Sequence, residues 1–480
     1  MAKKSLFKYG SQNDYTVDAA NRPGDSSVVS VVNHEVKYKG VNVVVEATPF
    51  NVEVGDMLVY DKQELKHKIV KMKTYNAATF DTTRYIKSEA LYHRTVGEVG
   101  LFLYKSQTSG AWGAQTEFKI SGIDLTAAGS FDFLSTGYQA KATATTISWE
   151  AGATLDSVKA QFATGNGATL GNASYSSVAI DGNDLIFMIG GTGTNNITLS
   201  NLADGGANVV LTDYSKYCKI NGVELTGNDN EVHRSFQGST VATCFPSLAS
   251  DLLPVTSACY TVSKVSRPYR CGMSFQIFKA YVTTNGASTF VDDTTSGSTF
   301  PMTLAKFNAC ATSETAAEVA CYNRHNGNYD SYLRAAMIDI ESLKGTVGQA
   351  YKNFGKQGKL LASIFYKNHN NEWKPCYPAA YNVSLLGVTV AGYTTGFEPG
   401  NIYLSDNYEM SSFMNDDIRL VLNGYISALG SGNTLGGSHF WSASEYSSRY
   451  AWLFIATYGN LPDLSKMDGY SCRGSLAFKF

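Results

Sequence analysis

Apolar and polar positions alternate along most of the chain, and this pattern predicts short β-strands. Segments 101–104 and 145–149 are typical, because β-branched and aromatic residues at every second position fit a pleated sheet with one buried face. Segment 178–189 contains Asp181-Gly182, a pair that predicts a hairpin turn. We therefore expect a mainly β chain. Further predicted strands are 41–46, 57–60, 196–200, 239–243, 273–278, 451–455 and 475–480.

Helical periodicity is confined to a few segments. Thr154 is the predicted N-cap of a short helix over 155–162. Segment 313–320 begins with a Ser N-cap, and 332–350 repeats apolar residues at i, i+3, i+4 and i+7, which is typical of a helix that packs on one face. The region after 300 is therefore expected to combine helices with strands.

Changes in composition divide the chain into five predicted parts. The first part is polar, and we expect it to order only against a partner. A Ser/Thr/Gly-rich stretch at 283–299 is interpreted as a linker. The predicted parts are an anchoring arm (1–35), an N-terminal β anchor domain (36–140), a β stalk or spacer domain (141–216), a β-rich connecting region (217–300) and a C-terminal domain (301–480).

Charge is sparse and balanced. The 39 Lys and Arg residues against 41 Asp and Glu residues argue against a dedicated binder of nucleic acid or of membranes. We interpret the Lys-rich segment 66–73 as the solvated face of a strand rather than as a surface for anions. The first residues lack the apolar segment of a signal peptide, so we expect synthesis in a host cytoplasm and another route to an outer surface, such as virion assembly.

Candidate catalytic chemistry is weak throughout the sequence. The motifs of serine hydrolases, zinc proteases, P-loop enzymes and dinucleotide-binding enzymes do not occur, and the seven His residues are scattered singly. The adjacent carboxylates at 292–293 and 416–417 leave glycan cleavage as a minor alternative. Eight Cys residues without a C-x-x-C pair favour free, buried thiols over a zinc site. We predict a non-enzymatic protein with no metal and no cofactor.

Two segments of the C-terminal region carry a family resemblance. Residues 441–448 (Trp-Ser-Ala-Ser-Glu-Tyr-Ser-Ser), then Ala451-Trp452 and Arg473 before an apolar strand, resemble the closing signature of C-type-lectin-like domains in phage fibres and bacterial surface proteins. Segment 402–405 followed by Glu409-Met410 resembles the family's Trp-Tyr-Leu-Pro-Ser-x-x-Glu-Leu element, which opens a helix. The resemblance extends from about 300 to 480 and implies an α+β fold in which two helices pack on a small twisted antiparallel sheet.

The resemblance also leaves a calcium site as an alternative. Glu398-Pro399-Gly400 and Asn415-Asp416 are similar to the elements with which animal C-type lectins ligate calcium. For recognition, exposed rings, hydroxyls and amides are the suitable groups, whereas Trp441, Trp452, Phe454 and Phe478 are predicted core residues. The predicted receptor-binding residues are Tyr446, Ser447, Arg449, Tyr450, Tyr458, Asn460 and Tyr470.

These features together predict a mainly β, multidomain fibre whose N-terminal β-domains precede a C-type-lectin-like domain. Its layout resembles the head fibres of crAss-like phages. The resemblance implies a virion fibre that attaches to a capsid or adaptor protein by its N-terminal region and binds a host-surface glycan or protein through its C-terminal domain. Because edge strands need protection, we also expect a homotrimer. The alternatives are a bacterial adhesin or pilus-tip lectin and a capsid decoration protein without a ligand.

Overall fold

A computed structural model describes most of the chain. It covers residues 52–96, 99–191, 196–225, 235–249, 251–252, 354–414, 416–430, 433–455 and 463–479, and the backbone of the strands within 29–46 and 259–289. The predicted helices 313–320 and 332–350 lie outside the described residues, as do Tyr458, Asn460 and residues 1–28.

The described elements, in chain order, confirm a mainly β protein. The strands are β1 (Val29–Val32), β2 (Glu35–Tyr38), β3 (Val41–Asn42), β4 (Val44–Glu46), β5 (Met57–Asp61), β6 (Lys66–Val70), β7 (Tyr85–Val96), β8 (Val99–Ala111), β9 (Thr116–Ser121), β10 (Gly129–Ser135), β11 (Thr145–Trp149), β12 (Ser176–Asp181), β13 (Asp184–Ile189), β14 (Ile197–Asp204), β15 (Val210–Asp213), β16 (Cys218–Ile220), β17 (Val223–Glu224), β18 (Cys259–Pro268), β19 (Ser274–Thr284), β20 (Ala287–Thr289), β21 (Ile364–Lys367), β22 (Trp373–Pro375), β23 (Tyr403–Leu404), β24 (His439–Glu445), β25 (Tyr450–Ile455), β26 (Asp463–Ser465) and β27 (Gly469–Lys479). The helices are α1 (Leu155–Lys159), α2 (Val241–Cys244), α3 (Lys356–Ala362), α4 (Pro378–Ser384), α5 (Asn407–Phe413) and α6 (Asp416–Ala428).

One large sheet joins strands from both ends of the described chain. Its order is β26-β25-β24-β27-β8-β7-β5-β6-β4, and β23 pairs with β27 beside this path. β27 runs antiparallel to β8 from the pair Gly469↔Ala111 to the pair Lys479↔Val99. The predicted N-terminal domain (36–140) and C-terminal domain (301–480) therefore contribute to a single sheet. Local sequence patterns predict strands but not the distant strands with which they pair. For this reason the sequence predicts two separate domains where the structure has one sheet.

Helices cover both faces of this sheet. Along β5 the side chains alternate, so that Leu58 packs with one core cluster while Met57 and Val59 pack with the other. The first cluster includes apolar residues of α3 and α4, and the second includes apolar residues of α5 and α6. We call this sheet with its helices the body.

Residues 116–213 form a separate β-sandwich between β8 and β16. Its two sheets have the orders β11-β10-β14 and β12-β13-β9-β15. Phe118, Phe131, Phe133 and Phe187 fill the core that the two sheets share. The domain boundary expected at 140 falls inside this sandwich, because the pairing of β9 with β13 and β15 places residues 116–121 in it.

Several local predictions for the sandwich are confirmed. Asp181 pairs with Asp184 across the β12–β13 hairpin, and Gly182 has a φ of +58°, a left-handed conformation that glycine adopts at low cost. Thr154 caps α1 by accepting a hydrogen bond from Ser157 N. These turns depend on neighbouring residues alone, so the local sequence is sufficient to predict them.

The predicted strand at 239–243 is wrong, because residues 241–244 form helix α2. The Thr240 side chain accepts a hydrogen bond from Thr243 N, and the Glu445 carboxylate accepts one from Val241 N at 3.0 Å. An acceptor side chain and a carboxylate satisfy the first amide groups of a helix. The alternation of apolar residues predicts a strand here, but the hydrogen bond from Val241 N to Glu445, 204 positions away, stabilises the start of a helix instead.

The Lys-rich segment 66–73 also differs from its interpretation as a solvated face. Lys68 is buried beside Asp61, 3.1 Å from its carboxylate, and Lys71 lies 2.7 Å from Asp56. Lys73 pairs with Glu53 at an exposed position. These lysines neutralise carboxylates of β5 and of the segment just before it, since a buried charge is tolerated when it is paired.

Candidate binding surface at the C-terminal strands

The two segments that carry the family resemblance lie against each other. Ala443 N donates to Ser405 O at 2.8 Å, and Asn407 N donates to the Ser444 hydroxyl at 3.1 Å. The Ser405 and Ser475 hydroxyls form a further buried hydrogen bond that ties the segment to β27. These contacts join the start of α5 to β24 and β27 and make the region one rigid unit.

A reciprocal cap begins helix α5. Glu409 N donates to Asp406 Oδ1 at 3.0 Å, and Asp406 N donates to Glu409 Oε2 at 3.2 Å. The Tyr403 hydroxyl donates to the other oxygen of the Glu409 carboxylate at 2.6 Å. Burial, followed by the neighbouring Asp406 carboxylate, raises the pKa of Glu409 well above its ordinary value. The Glu409 of the motif therefore positions the helix and is not available to a ligand.

Four of the predicted receptor-binding residues lie at one hairpin, between β24 and β25. The turn closes through Tyr446 N and Ser447 N, which both donate to Tyr450 O. The Ser447 hydroxyl accepts hydrogen bonds from Arg449 N and Tyr450 N at 3.3 and 3.2 Å. Ser447 thus shapes the turn. Arg449 is exposed, and Tyr450 is partly exposed.

Tyr446 has a supporting position at this hairpin. Its ring meets Trp452 edge-on, with the ring centroids 4.9 Å apart, and it packs on the second core cluster. Trp441, Trp452 and Phe454 are buried as expected, whereas Phe478 is only partly buried. Arg449 and Tyr450 are consequently the hairpin residues whose side chains are best placed to meet a partner.

Tyr470 lies away from the hairpin, near the other end of β24. Its ring stacks on His439 at 5.3 Å and meets Trp441 edge-on at 5.2 Å. The four-residue step from Trp441 to Glu445 corresponds to about 13 Å along a strand. Burial, followed by the Asp468 carboxylate, raises the pKa of Tyr470. The structure therefore brings together residues 446–450 and places Tyr470 at a separate position.

Sequence reasoning missed the buried ion pair beneath the hairpin. Lys466 Nζ contacts the Glu445 carboxylate, donates to Ser239 O at 3.1 Å and lies 4.9 Å from the centre of the Trp112 ring. Lys466 N also donates to Arg449 O. The pair therefore fixes the hairpin to the body. The two charges are 21 positions apart with the apolar strand β25 between them, so the local sequence carries no signal of this contact.

The part of the chain that the structure describes contains no cluster of metal-ligating side chains. Across the described residues, no group of three His, Cys, Asp or Glu side chains could hold a metal ion. Glu398, a residue of the alternative calcium element, is engaged locally: Thr395 N donates to its carboxylate at 2.5 Å, and Asn401 Nδ2 at 3.4 Å. The Asp416 side chain lies outside the described atoms. Of the eight cysteines, Cys218, Cys244, Cys376 and Cys472 are buried and form no disulfide bond among the described residues.

Comparison with protein-family models and with curated proteins finds no match for this chain. A crystal structure of a fimbrial protein from Bacteroides ovatus aligns with 10% sequence identity and a TM-score of 0.12, over 79% of this chain and 76% of that chain. A TM-score this low supports no conclusion about fold or function. In the described residues, helices are too short or too polar to cross a membrane.

Proposed function

We propose that this chain is a non-enzymatic attachment protein of a bacteriophage particle that binds a host-surface receptor or glycan through a lectin-like C-terminal region. One observation carries the proposal: the motif segments around Ser405 and Ala443 pack together and hold the β24–β25 hairpin on a rigid support. A binding loop on a rigid scaffold loses little conformational entropy when it meets its partner.

The surroundings of the motif support a lectin-like scaffold. β27 closes the sheet against β8, and α5 begins at the Asp406–Glu409 cap, where the resemblance places a helix. The Arg473 guanidinium lies inside this unit and donates to Asn433 O at 2.6 Å and to Lys105 O. Burial lowers the pKa of Arg473 to about 10. The arginine of the motif thus holds strands and loop together.

The side chains at the hairpin favour recognition over catalysis. Arg449 and Tyr450 offer a guanidinium group and a ring, which suit stacking and hydrogen bonding to a glycan or protein. The nearest buried carboxylate, that of Glu445, is neutralised by Lys466 and accepts from Val241 N. A carboxylate engaged in this way is poorly suited to proton transfer.

Receptor binding is tested with fluorescently labelled protein on host cells. We expect the double variant Arg449→Ala/Tyr450→Ala to bind at least about a hundredfold more weakly, because hot-spot truncations commonly cost about 2 kcal/mol each. A matched control is Lys216→Ala/Tyr217→Ala, which removes an equally basic and aromatic exposed pair from another surface. Wild-type affinity in the hairpin variant, with an unchanged melting temperature, would exclude this surface.

Attachment to the particle is tested separately by immunogold electron microscopy of virions. Antibody against the purified chain should label the particle surface if the protein is a fibre or decoration protein. Virions assembled with a chain that lacks residues 1–35 should carry no label, since this polar arm is the expected anchor. Label on bacterial cells but not on virions would instead favour the adhesin.

A further inference from the structure

A cleft of about 490 Å³ lies where the β-sandwich meets the body. Glu117, Tyr175 and Met188 line it from the sandwich, and Met467 lines it from the body. Tyr366 lines it from β21, a strand of a separate sheet with the order β17-β16-β21-β22. Gln237, from the segment before α2, completes its inner wall. The volume falls within the range of small-molecule sites, about 300–1,000 Å³. The sandwich, the body, the sheet of β21 and the segment before α2 therefore converge on one concave surface.

Glu117 supplies a buried carboxylate with spare hydrogen-bonding capacity. Its side chain is 4% exposed, and Oε1 accepts a hydrogen bond from His369 N at 2.8 Å and lies 2.6 Å from His369 Nδ1. Among the residues that the structure describes, Oε2 makes no hydrogen bond. His369 also lies 3.3 Å from Asp181, so the imidazole bridges two carboxylates of the sandwich. The arrangement fixes Glu117 and leaves one oxygen for a ligand.

Gln237 and Tyr366 bring two further polar groups to the lining of the cleft. Gln237 is 3% exposed, and its Nε2 donates to Gly113 O at 2.8 Å. Its Oε1 is buried and has no partner among the described residues. A buried polar group is normally paired, and the unpaired Gln237 Oε1 needs an explanation such as an absent ligand. The Tyr366 hydroxyl makes no hydrogen bond within the described part of the chain either, but it is not fully shielded from solvent and is therefore open to the cleft.

The outer wall of the cleft is aromatic and held in place. The Tyr175 hydroxyl donates to Asp468 at 3.1 Å, and the Tyr175 ring meets Tyr138 edge-on at 5.8 Å. Gln115 Nε2 donates to Tyr175 O at 3.0 Å, which fixes the backbone as well. A ring immobilised in this way can stack on an apolar ligand face without a further entropy cost.

We infer that this cleft is a second binding site, distinct from the hairpin, which takes one or two uncharged or amino-substituted sugar residues. Sugar hydroxyls would donate to Glu117 Oε2 and Gln237 Oε1 and accept from the Tyr366 hydroxyl, while an apolar sugar face stacks on Tyr175. Lys374 also lines the cleft, but it pairs with Glu372 at 2.8 Å, so together with the Glu117 carboxylate the cleft offers no excess of positive charge to an anionic ligand. A peptide cannot add as a strand to β9 or β13, which carry Glu117 and Met188, because both are interior strands whose two edges are paired.

Saturation-transfer NMR and calorimetry test the site with four probes: cellobiose, lactose, maltose and N,N′-diacetylchitobiose. We expect the full-length protein to bind at least one of them saturably. Tyr366→Phe should weaken that binding about tenfold, since it removes one hydrogen-bonding hydroxyl, and it should leave the melting temperature unchanged because this hydroxyl has no described partner. Glu117→Gln, which keeps the size of the side chain, should weaken the same binding.

Two controls make the outcome specific to the cleft. Tyr217→Phe, at an exposed tyrosine elsewhere, should bind the probe like the wild type. Arg449→Ala/Tyr450→Ala should also do so, and this separates the cleft from the proposed receptor surface. Lack of saturable binding for all four probes would overturn the inference. Equal affinity in wild type, Tyr366→Phe and Glu117→Gln, or loss only in the hairpin variant, would overturn it as well.

Discussion

Glu445 and Lys466 form an ion pair in the interior of the protein, where their side chains are 3% and 0% exposed. The carboxylate also accepts a hydrogen bond from Val241 N at the start of α2, and the ammonium group donates to Ser239 O. Burial raises the pKa of Glu445, although the Lys466 charge opposes the shift. The pair thus joins the end of β24, which carries Glu445, to the residue after β26, which is Lys466, and to the start of helix α2.

Removal of one partner should be more harmful than removal of both. Lys466→Met leaves a buried carboxylate without a counter-ion, and we expect a loss of about 3–5 kcal/mol in the free energy of unfolding. The double variant Lys466→Met/Glu445→Gln should recover most of this loss, because the Gln can still accept from Val241 N. Urea denaturation measures both values.

The exposed pair Lys356–Asp251, at 2.7 Å, provides the control for this comparison. Lys356→Met should cost less than about 1 kcal/mol, since exposed ion pairs contribute little. Equal losses in Lys356→Met and Lys466→Met would contradict the assigned role of the buried pair.

Asp61 should make stability depend on acid pH. Burial alone would raise the pKa of this carboxyl, but hydrogen bonds from Arg84, Glu64 N and other donors outweigh it and hold the pKa well below its ordinary value of 3.8. A folded-state pKa below the unfolded one stabilises the protein above the ordinary value, and this contribution is lost as the pH falls from about 4 toward the folded-state pKa.

The test compares urea midpoints of wild type and Asp61→Asn at pH 7, 5, 4 and 3. The variant should be less stable at pH 7, because Lys68 and Arg84 lose their charged partner, and its midpoint should fall less below pH 4. Asp156→Asn, at an exposed position of α1, should follow the wild-type profile. If the urea midpoints of wild type and Asp61→Asn fall in parallel below pH 4, another group controls the pH dependence of stability.

Two helical glycines should respond oppositely to a methyl group. A Cβ on Gly358 of α3 would lie 2.1 Å from Leu404 O, so the helix and β23 would have to separate. A Cβ on Gly424 of α6 would meet nothing within 4 Å. We expect Gly358→Ala to lower the free energy of unfolding by about 1–3 kcal/mol and Gly424→Ala to raise it by about 0.5–1 kcal/mol. Thermal and urea denaturation distinguish these signs, and a neutral Gly358→Ala would argue against the close packing of α3 on β23.

The expected homotrimer has a candidate contact region on the sandwich. Leu202 on β14 and Val210 on β15 are 42% and 56% exposed, and each strand is the edge of its sheet. Apolar side chains on unpaired edges favour association with other chains. Light scattering coupled to size exclusion should report three times the mass of one chain for the wild type and one mass for Leu202→Glu/Val210→Lys. Leu420→Glu, an exposed apolar position on α6, is the matched control. A wild-type monomer at micromolar concentration would rule out the trimer.

Sequence alone could predict the elements whose stability is local. The β12–β13 hairpin depends on Gly182, and α1 depends on the Thr154 cap, so both lie where the sequence places them. Helix α2 could not be predicted, since the acceptor for Val241 N comes from Glu445. Of the candidate site, the hairpin containing Tyr450 follows from the strand pattern, whereas the separate position of Tyr470 follows from tertiary packing. The same holds for the cleft at Glu117, whose walls come from distant segments.

The pairing of β27 with β8 has a consequence for synthesis on the ribosome. Arg473 and Lys105, which bond across this pair, are 368 positions apart, so the large sheet cannot close until translation has passed β27. The sandwich at 116–213 has its own core and can fold during that interval. β5 to β8 can pair with one another in the meantime, but the edge of β8 that later binds β27 would be exposed to neighbouring nascent chains, and contacts of such long sequence separation form slowly. Expression yield should therefore depend more on chaperones that shield these strands than on the stability of the finished fold.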